Sequence, residues 1–211
     1  MEHQSSEFSV EEQLKVIRET MTRSTAFTEV PGYAMMGIGV LAVVVAGVLE
    51  YTGISYITWV EAWVFTALIA IFLGAWGIHL KARKAEKPHL SQTARKFWLG
   101  LAPAFVVTAF LTMMVLGVTP HNYQEKLSTY WFIPLGALRI LPALWMLMYG
   151  LAITAAGAYS IKAVTQMGLS FLGLGVLTFL IPQMNINLMM LIGFGGLHLA
   201  FGWIIAKKHG G

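Results

Sequence analysis

Six long apolar runs, separated by short polar or basic links, dominate the chain. They lie at about 33–50, 59–80, 97–118, 138–159, 164–182 and 186–206. Each is close to the roughly 20 residues an α-helix needs to cross about 30 Å of hydrocarbon. None alternates apolar and polar residues with the period of a lipid-facing strand. A backbone in lipid must satisfy its own hydrogen bonds, so these runs predict helices. The expected fold is an all-α membrane protein: six transmembrane helices in three hairpins, preceded by an interfacial helix. That domain covers 31–211 and follows a polar segment, 1–30.

The first 24 residues contain no apolar core of a signal peptide. Ser9 and Glu12 have the spacing of a capping box. Val10, Leu14, Ile17 and Met21 then recur at helical spacing, with charged residues between them. This pattern predicts an amphipathic helix over 9–24. Such a helix lies on the membrane surface or docks a cytoplasmic partner.

Composition sharpens the class. Hydrophobic residues make up 57% and charged residues 11%, with a mean hydropathy of +0.68. That is too little charge for a soluble surface. There is no Cys and no Asp, and all ten acids are Glu. Disulfides, thiolate metal sites, cysteine nucleophiles and Asp-dependent motifs are therefore excluded. No metal or nucleic-acid partner is expected. The net charge of +4 belongs to loops that face the cytoplasm.

Basic residues orient the spans. Lys15, Arg18 and Arg23, then Lys81 to Lys96, Lys162, and Lys207 with Lys208 fall on one side. Only Lys126 and Arg139 fall on the other. Six spans then put both termini in the cytoplasm of a bacterial inner membrane. The longest outer link, 119–137, carries Tyr130, Trp131 and Phe132 as an interfacial aromatic anchor.

Two internal echoes suggest a parallel repeat of hairpins 1–2 and 5–6. Met36-Gly37-Ile38-Gly39 resembles Leu172-Gly173-Leu174-Gly175, and Gly74-x-x-Gly77-Ile78-His79 resembles Gly193-x-x-Gly196-Leu197-His198. The two pairs differ in offset, so no single register fits both.

Candidate chemistry is sparse. Arg139 either snorkels to the outer headgroups or pairs inward with Glu61. Glu50 and His121 share that outer level and would complete an outer polar cluster of Glu50, Glu61, Arg139 and His121. His79 and His198 form an inner pair of candidate ligands. Bis-His haem ligation is conceivable there, although two isolated His lack a metal-binding spacing. Thr154, Gln166, Asn185 and Asn187 are explained by interhelical hydrogen bonds. The glycine stripes predict close helix packing and oligomer contacts.

The segment Ser24-Thr25-Ala26-Phe27-Thr28-Glu29-Val30-Pro31-Gly32 resembles an uncharacterised group of six-helix bacterial inner-membrane proteins. So does the end, Gly193-Phe194-Gly195-Gly196-Leu197-His198 with Phe201-Gly202 and His209-Gly210-Gly211. Genes of that group often neighbour winged-helix regulators, which implies a sensing or accessory role. Helices five and six, with Pro182 at their turn, also resemble HdeD-type acid-resistance membrane proteins in architecture. Neither resemblance carries a catalytic residue.

The expected function is a non-enzymatic sensor, stress factor or accessory subunit without a cofactor. Its expected partners are the lipid bilayer and either further copies or other membrane subunits. A small transporter using the outer cluster, and a haem-binding redox protein, are the alternatives.

Overall fold

The computed structural model describes residues 12–15, 17, 27–84, 92–115, 140–181 and 183–209. These residues are almost entirely helical. Residues 12–15 and 17 are helical within the expected amphipathic stretch, and the rest of that stretch lies outside the described residues. The expected anchor at Tyr130–Phe132 also lies outside them, as do Arg139, His121 and Pro182.

Six helices are long and apolar enough to span a membrane. They are α1 (Gly32–Thr52), α2 (Tyr56–Lys84), α3 (Gln92–Val115), α4 (Ile140–Gly157), α5 (Lys162–Leu180) and α6 (Ile186–His209). The chain is thus compatible with a multi-pass membrane protein. Gly53, at φ 57°, ends α1 in the left-handed conformation that glycine adopts without a Cβ penalty. The 29 residues of α2 span about 44 Å at 1.5 Å per residue. The helix is therefore longer than a hydrocarbon layer, and Lys81, Arg83 and Lys84 occupy its last turn. Cations there complement the negative end of the helix dipole.

The packing is set by two antiparallel helix pairs, α1 with α6 and α4 with α5. In the first, Gly32, Met36, Gly39 and Val43 meet Ala206, Gly202, Leu199 and Gly195 in turn. In the second, Leu147, Gly150, Thr154 and Gly157 meet Gly175, Leu172, Gly168 and Thr165. Contact positions recur every three or four residues, and almost every rung sets a glycine on one helix against a larger residue on the other. A Cβ added at Gly168 would sit 2.6 Å from the Thr154 backbone nitrogen, and one at Gly39 2.9 Å from the Gly195 carbonyl oxygen. The backbones approach closely because these positions carry no side chain.

The first three helices pack less closely on their sequential neighbours. α1 touches α2 and α3 packs on α4, but α2 and α3 barely meet. α4 is the central helix, with half of its apolar window buried against 11% for α2. Phe65, Ile69, Phe72 and Trp76 form an exposed stripe along α2. A helix apolar on every side suits lipid contact.

The first sequence echo has a structural counterpart. A shift of 136 positions carries Gly32, Met36 and Gly39 onto Gly168, Leu172 and Gly175, and both sets form the ladder towards an antiparallel partner. Gly37 and Gly173 both face open space. The likeness joins the pair α1/α6 to the pair α5/α4, because the shared feature is an interface and not a connection. The second echo does not extend it. Gly77 abuts Pro31 and Ala34, whereas Gly196 is nearly open.

Gly39→Val and Gly168→Val should each destabilise the bundle by about 1–3 kcal/mol, the usual cost of overpacking. Gly37→Val and Gly173→Val should be tolerated. Thermal unfolding in one detergent, followed by loss of the monodisperse peak, checks the contrast.

Candidate functional site

Polar side chains gather at three levels of the bundle. The first is the end opposite the described chain ends. Glu50 lies in the last turn of α1 and is exposed. Its two carboxylate oxygens accept hydrogen bonds from Asn185 Nδ2 at 2.9 Å and Asn187 Nδ2 at 2.6 Å. Asn185 caps α6, its Oδ1 accepting from the Leu188 backbone N–H at 3.1 Å. Small polar residues are preferred there because the first turn has orphan N–H groups. Asn187 Oδ1 accepts from the buried Trp59 Nε1 at 2.5 Å.

The network continues through aromatic rings. Trp59 stacks on Trp145, with centroids 5.9 Å apart and planes 4° from parallel. Trp145 Nε1 donates to Thr112 Oγ1 at 2.9 Å, and that hydroxyl donates to the Thr108 carbonyl at 2.7 Å. One exposed carboxylate therefore heads a chain through α1, α6, α2, α4 and α3. Tyr56 stacks on Trp59 from the same helix.

Of the expected outer cluster, Arg139 and His121 lie outside the described residues. Among the described residues, Glu50 is joined by two asparagines. Glu61 is exposed on α2 and has no place in this network among the described residues.

The second level is the bundle interior. His198 is 3% exposed, and its Nε2 lies 2.8 Å from the Tyr149 hydroxyl. Phe171 and Phe194 pack against both rings, and Phe105 against Tyr149. Nδ1 of His198 is buried without a well-formed hydrogen bond. The pair fits a tyrosine donating to Nε2, with the imidazole proton on Nδ1, since a neutral imidazole has one donor and one acceptor. His198 directly follows a π-helical stretch, Leu191–Leu197, that contains Gly193, Gly195 and Gly196. Such wide turns leave backbone carbonyls without their usual partners. The indole Nε1 of Trp63, whose ring lies 6.2 Å from Phe194, is likewise buried and unpaired.

His79 and His198 have ring contacts with different partners. His79 packs at a tilt against Trp76 near the level of Pro31, which touches Gly77. His198 belongs to the level of Gly39, next to its neighbour Leu199.

The third level is the end where residues 27–31 meet α6's last turn. Phe27 is 1% exposed, lies 4.6 Å from Phe97 on α3, and its N–H donates to the Tyr159 carbonyl at 2.7 Å. Ser160 Oγ donates to the Phe27 carbonyl, also at 2.7 Å. Lys81 Nζ donates to the carbonyls of Val30 and His209, each at 3.0 Å. This strap thereby joins α2, α3, α6 and the α4–α5 link.

Glu50 and His198 are singled out by the sequence, and the hydrogen bonds expected for Asn185 and Asn187 run from α6 to Glu50 on α1. Sequence reasoning missed the strap, the tryptophan pair and Tyr149. Phe27 and Val30, apolar just before Pro31-Gly32, are the signal for the strap. Nothing local marks the partners of Trp59, Trp145 or Tyr149. Thr154 is half-buried, with its hydroxyl enclosed and without a hydrogen-bond partner, and Gln166 is exposed. Among the described residues, no three His or Glu side chains come together as a metal site would require.

No family model, curated protein or solved structure matches the chain.

Tyr149→Phe should strip His198 of its partner and destabilise the bundle by about 1–3 kcal/mol, the cost of a buried unsatisfied group. His198→Phe made in that background should cost less than it does alone, because the two residues act as a unit. A double-mutant cycle of unfolding in mixed micelles measures the coupling.

Proposed function

We propose that this chain is a non-enzymatic protein of the bacterial inner membrane, with both termini in the cytoplasm, acting as a sensor or accessory subunit. One observation carries the reading: the polar side chains that bond across helices within the described bundle bond to one another, while Trp63 Nε1 and Thr154 Oγ1 stay buried without a partner. Tyr149 holds His198, Trp145 holds Thr112, and Trp59, Asn187 and Glu50 form one line. Such pairings tie helices together and leave few groups facing a substrate. The two glycine ladders support it, since backbones in such close contact leave little room for a path between those helices.

The orientation rests on the basic residues. Lys207 lies over the Trp203 ring at 5.0 Å and Lys96 over Tyr159 at 5.8 Å. Both are the aromatic–cation pairs expected at a headgroup layer. Lys81 of the strap belongs to the same end. With that end cytoplasmic, Glu50, Asn185 and Asn187 face the outside.

The transporter reading draws on the same Glu50, which is exposed and ready to meet a solute. Transport also needs polar groups near the midplane. There the described chain offers the Tyr149–His198 pair, enclosed by phenylalanines. The sensor or subunit reading is therefore preferred.

The test is native mass spectrometry after mild extraction from the host, paired with flux assays in proteoliposomes. A co-purifying subunit or bound small molecule, with flux no greater than in protein-free vesicles, is the expected result. A bare monomer that conducts or transports would overturn the reading.

A further inference from the structure

At the outer end, a carboxylate heads the contacts that join five helices. Glu50 accepts the amides of both Asn185 and Asn187. Asn185 caps α6, and Asn187 holds the indole of Trp59, which stacks on Trp145. A carboxylate suits this position because both its oxygens accept. A carboxylic acid keeps one acceptor oxygen and turns the other into an O–H donor, which then faces an N–H donor. The bonds also lose their charge assistance, which roughly doubles the strength of such hydrogen bonds.

We propose that Glu50 is a proton-operated latch, through which acidification outside the membrane loosens α6 from α1 and shifts the Trp59–Trp145 stack. The proposal rests on the sensor reading and names its input. Glu50 is open to solvent, so protons reach it without a channel. The groups beyond it are not: Trp59 is 4% exposed and Trp145 8%. Protonation at the surface thus acts on a buried contact between α2 and α4.

Among the described residues, few other groups near Glu50 can account for a response in acid. From α6 come the two asparagines, which do not ionise. From α4 comes Trp145, which does not ionise either. From α2 come Tyr56 and the exposed Glu61, and from α1 the exposed Tyr51. Tyrosine phenols in general keep their proton in acid. Glu61 is therefore the control.

The experiment uses the full chain in lipid nanodiscs, labelled with 5-fluorotryptophan and followed by fluorine NMR. Trp59→Phe and Trp145→Phe assign the two signals. Between about pH 6.5 and about pH 2.5, a range that spans the ordinary glutamate value of about 4.3 on both sides, both signals should move together along one titration curve. Glu50→Gln should hold them at the acid position throughout. Glu61→Gln should leave the curve unchanged. Asn187→Leu, which cuts the line between Glu50 and Trp59, should abolish the movement of Trp59. Signals that stay fixed in the wild type, or that still titrate in Glu50→Gln, would overturn the latch. A titration lost in Glu50→Gln, with no pH-dependent change in what co-purifies, would uphold the latch and overturn the sensor reading.

Discussion

Every other feature of this protein depends on one constraint: within lipid, water cannot satisfy a polar group. Helices answer it for the backbone. For the side chains, the answer is pairing between helices. Trp145 with Thr112, Tyr149 with His198, and Trp59 with Asn187 each join two helices through one hydrogen bond. Such bonds average well under 2 kcal/mol in membrane bundles. Their larger role is register, because a slipped helix would leave donors unpaired in hydrocarbon.

The attraction between helices has to come from elsewhere, since lipid tails are as apolar as leucine. Glycine ladders supply it by letting backbones touch. The pairs α1/α6 and α4/α5 use the same alternation, glycine on one helix and then on its partner. This arrangement interlocks each pair as teeth would and opposes sliding. α2 and α3 carry no comparable ladder and lie more loosely against the rest. They are held by aromatic and polar contacts: Trp59, Trp63 and Lys81 on α2, and Phe97 and Thr112 on α3.

The two ends of the bundle are closed differently. At one end, the strap at residues 27–31 is held by backbone hydrogen bonds, a buried phenylalanine and Lys81, and it carries the buried Glu29. At the other, an exposed carboxylate heads the chain of contacts. Between them lies the aromatic packing around Tyr149 and His198, next to the π-helical stretch of α6. Asn187 lies before that stretch, while Leu199, Gly202 and Ala206 lie after it. The altered winding sets how these two halves are turned, so that one half reaches Glu50 and Trp59 while the other meshes with α1.

Length, hydropathy and breaker residues determined the spans, because a helix in lipid satisfies its backbone locally and needs no partner to exist. For the same reason Asn185 was legible as a turn residue after Pro182, and the glycines as packing positions. Which helices pair was not legible. α1 with α6 is a contact between the first and last spans, and the choice depends on matching two glycine ladders across most of the chain. The polar site was legible only at Glu50 and His198, whose cost in lipid marks them individually. Their partners, Asn185 with Asn187 and Tyr149, were decided by tertiary structure, since a hydrogen bond between distant residues leaves no local trace. Two histidines that look paired in sequence lie at different depths, because depth follows from where each helix meets its neighbour.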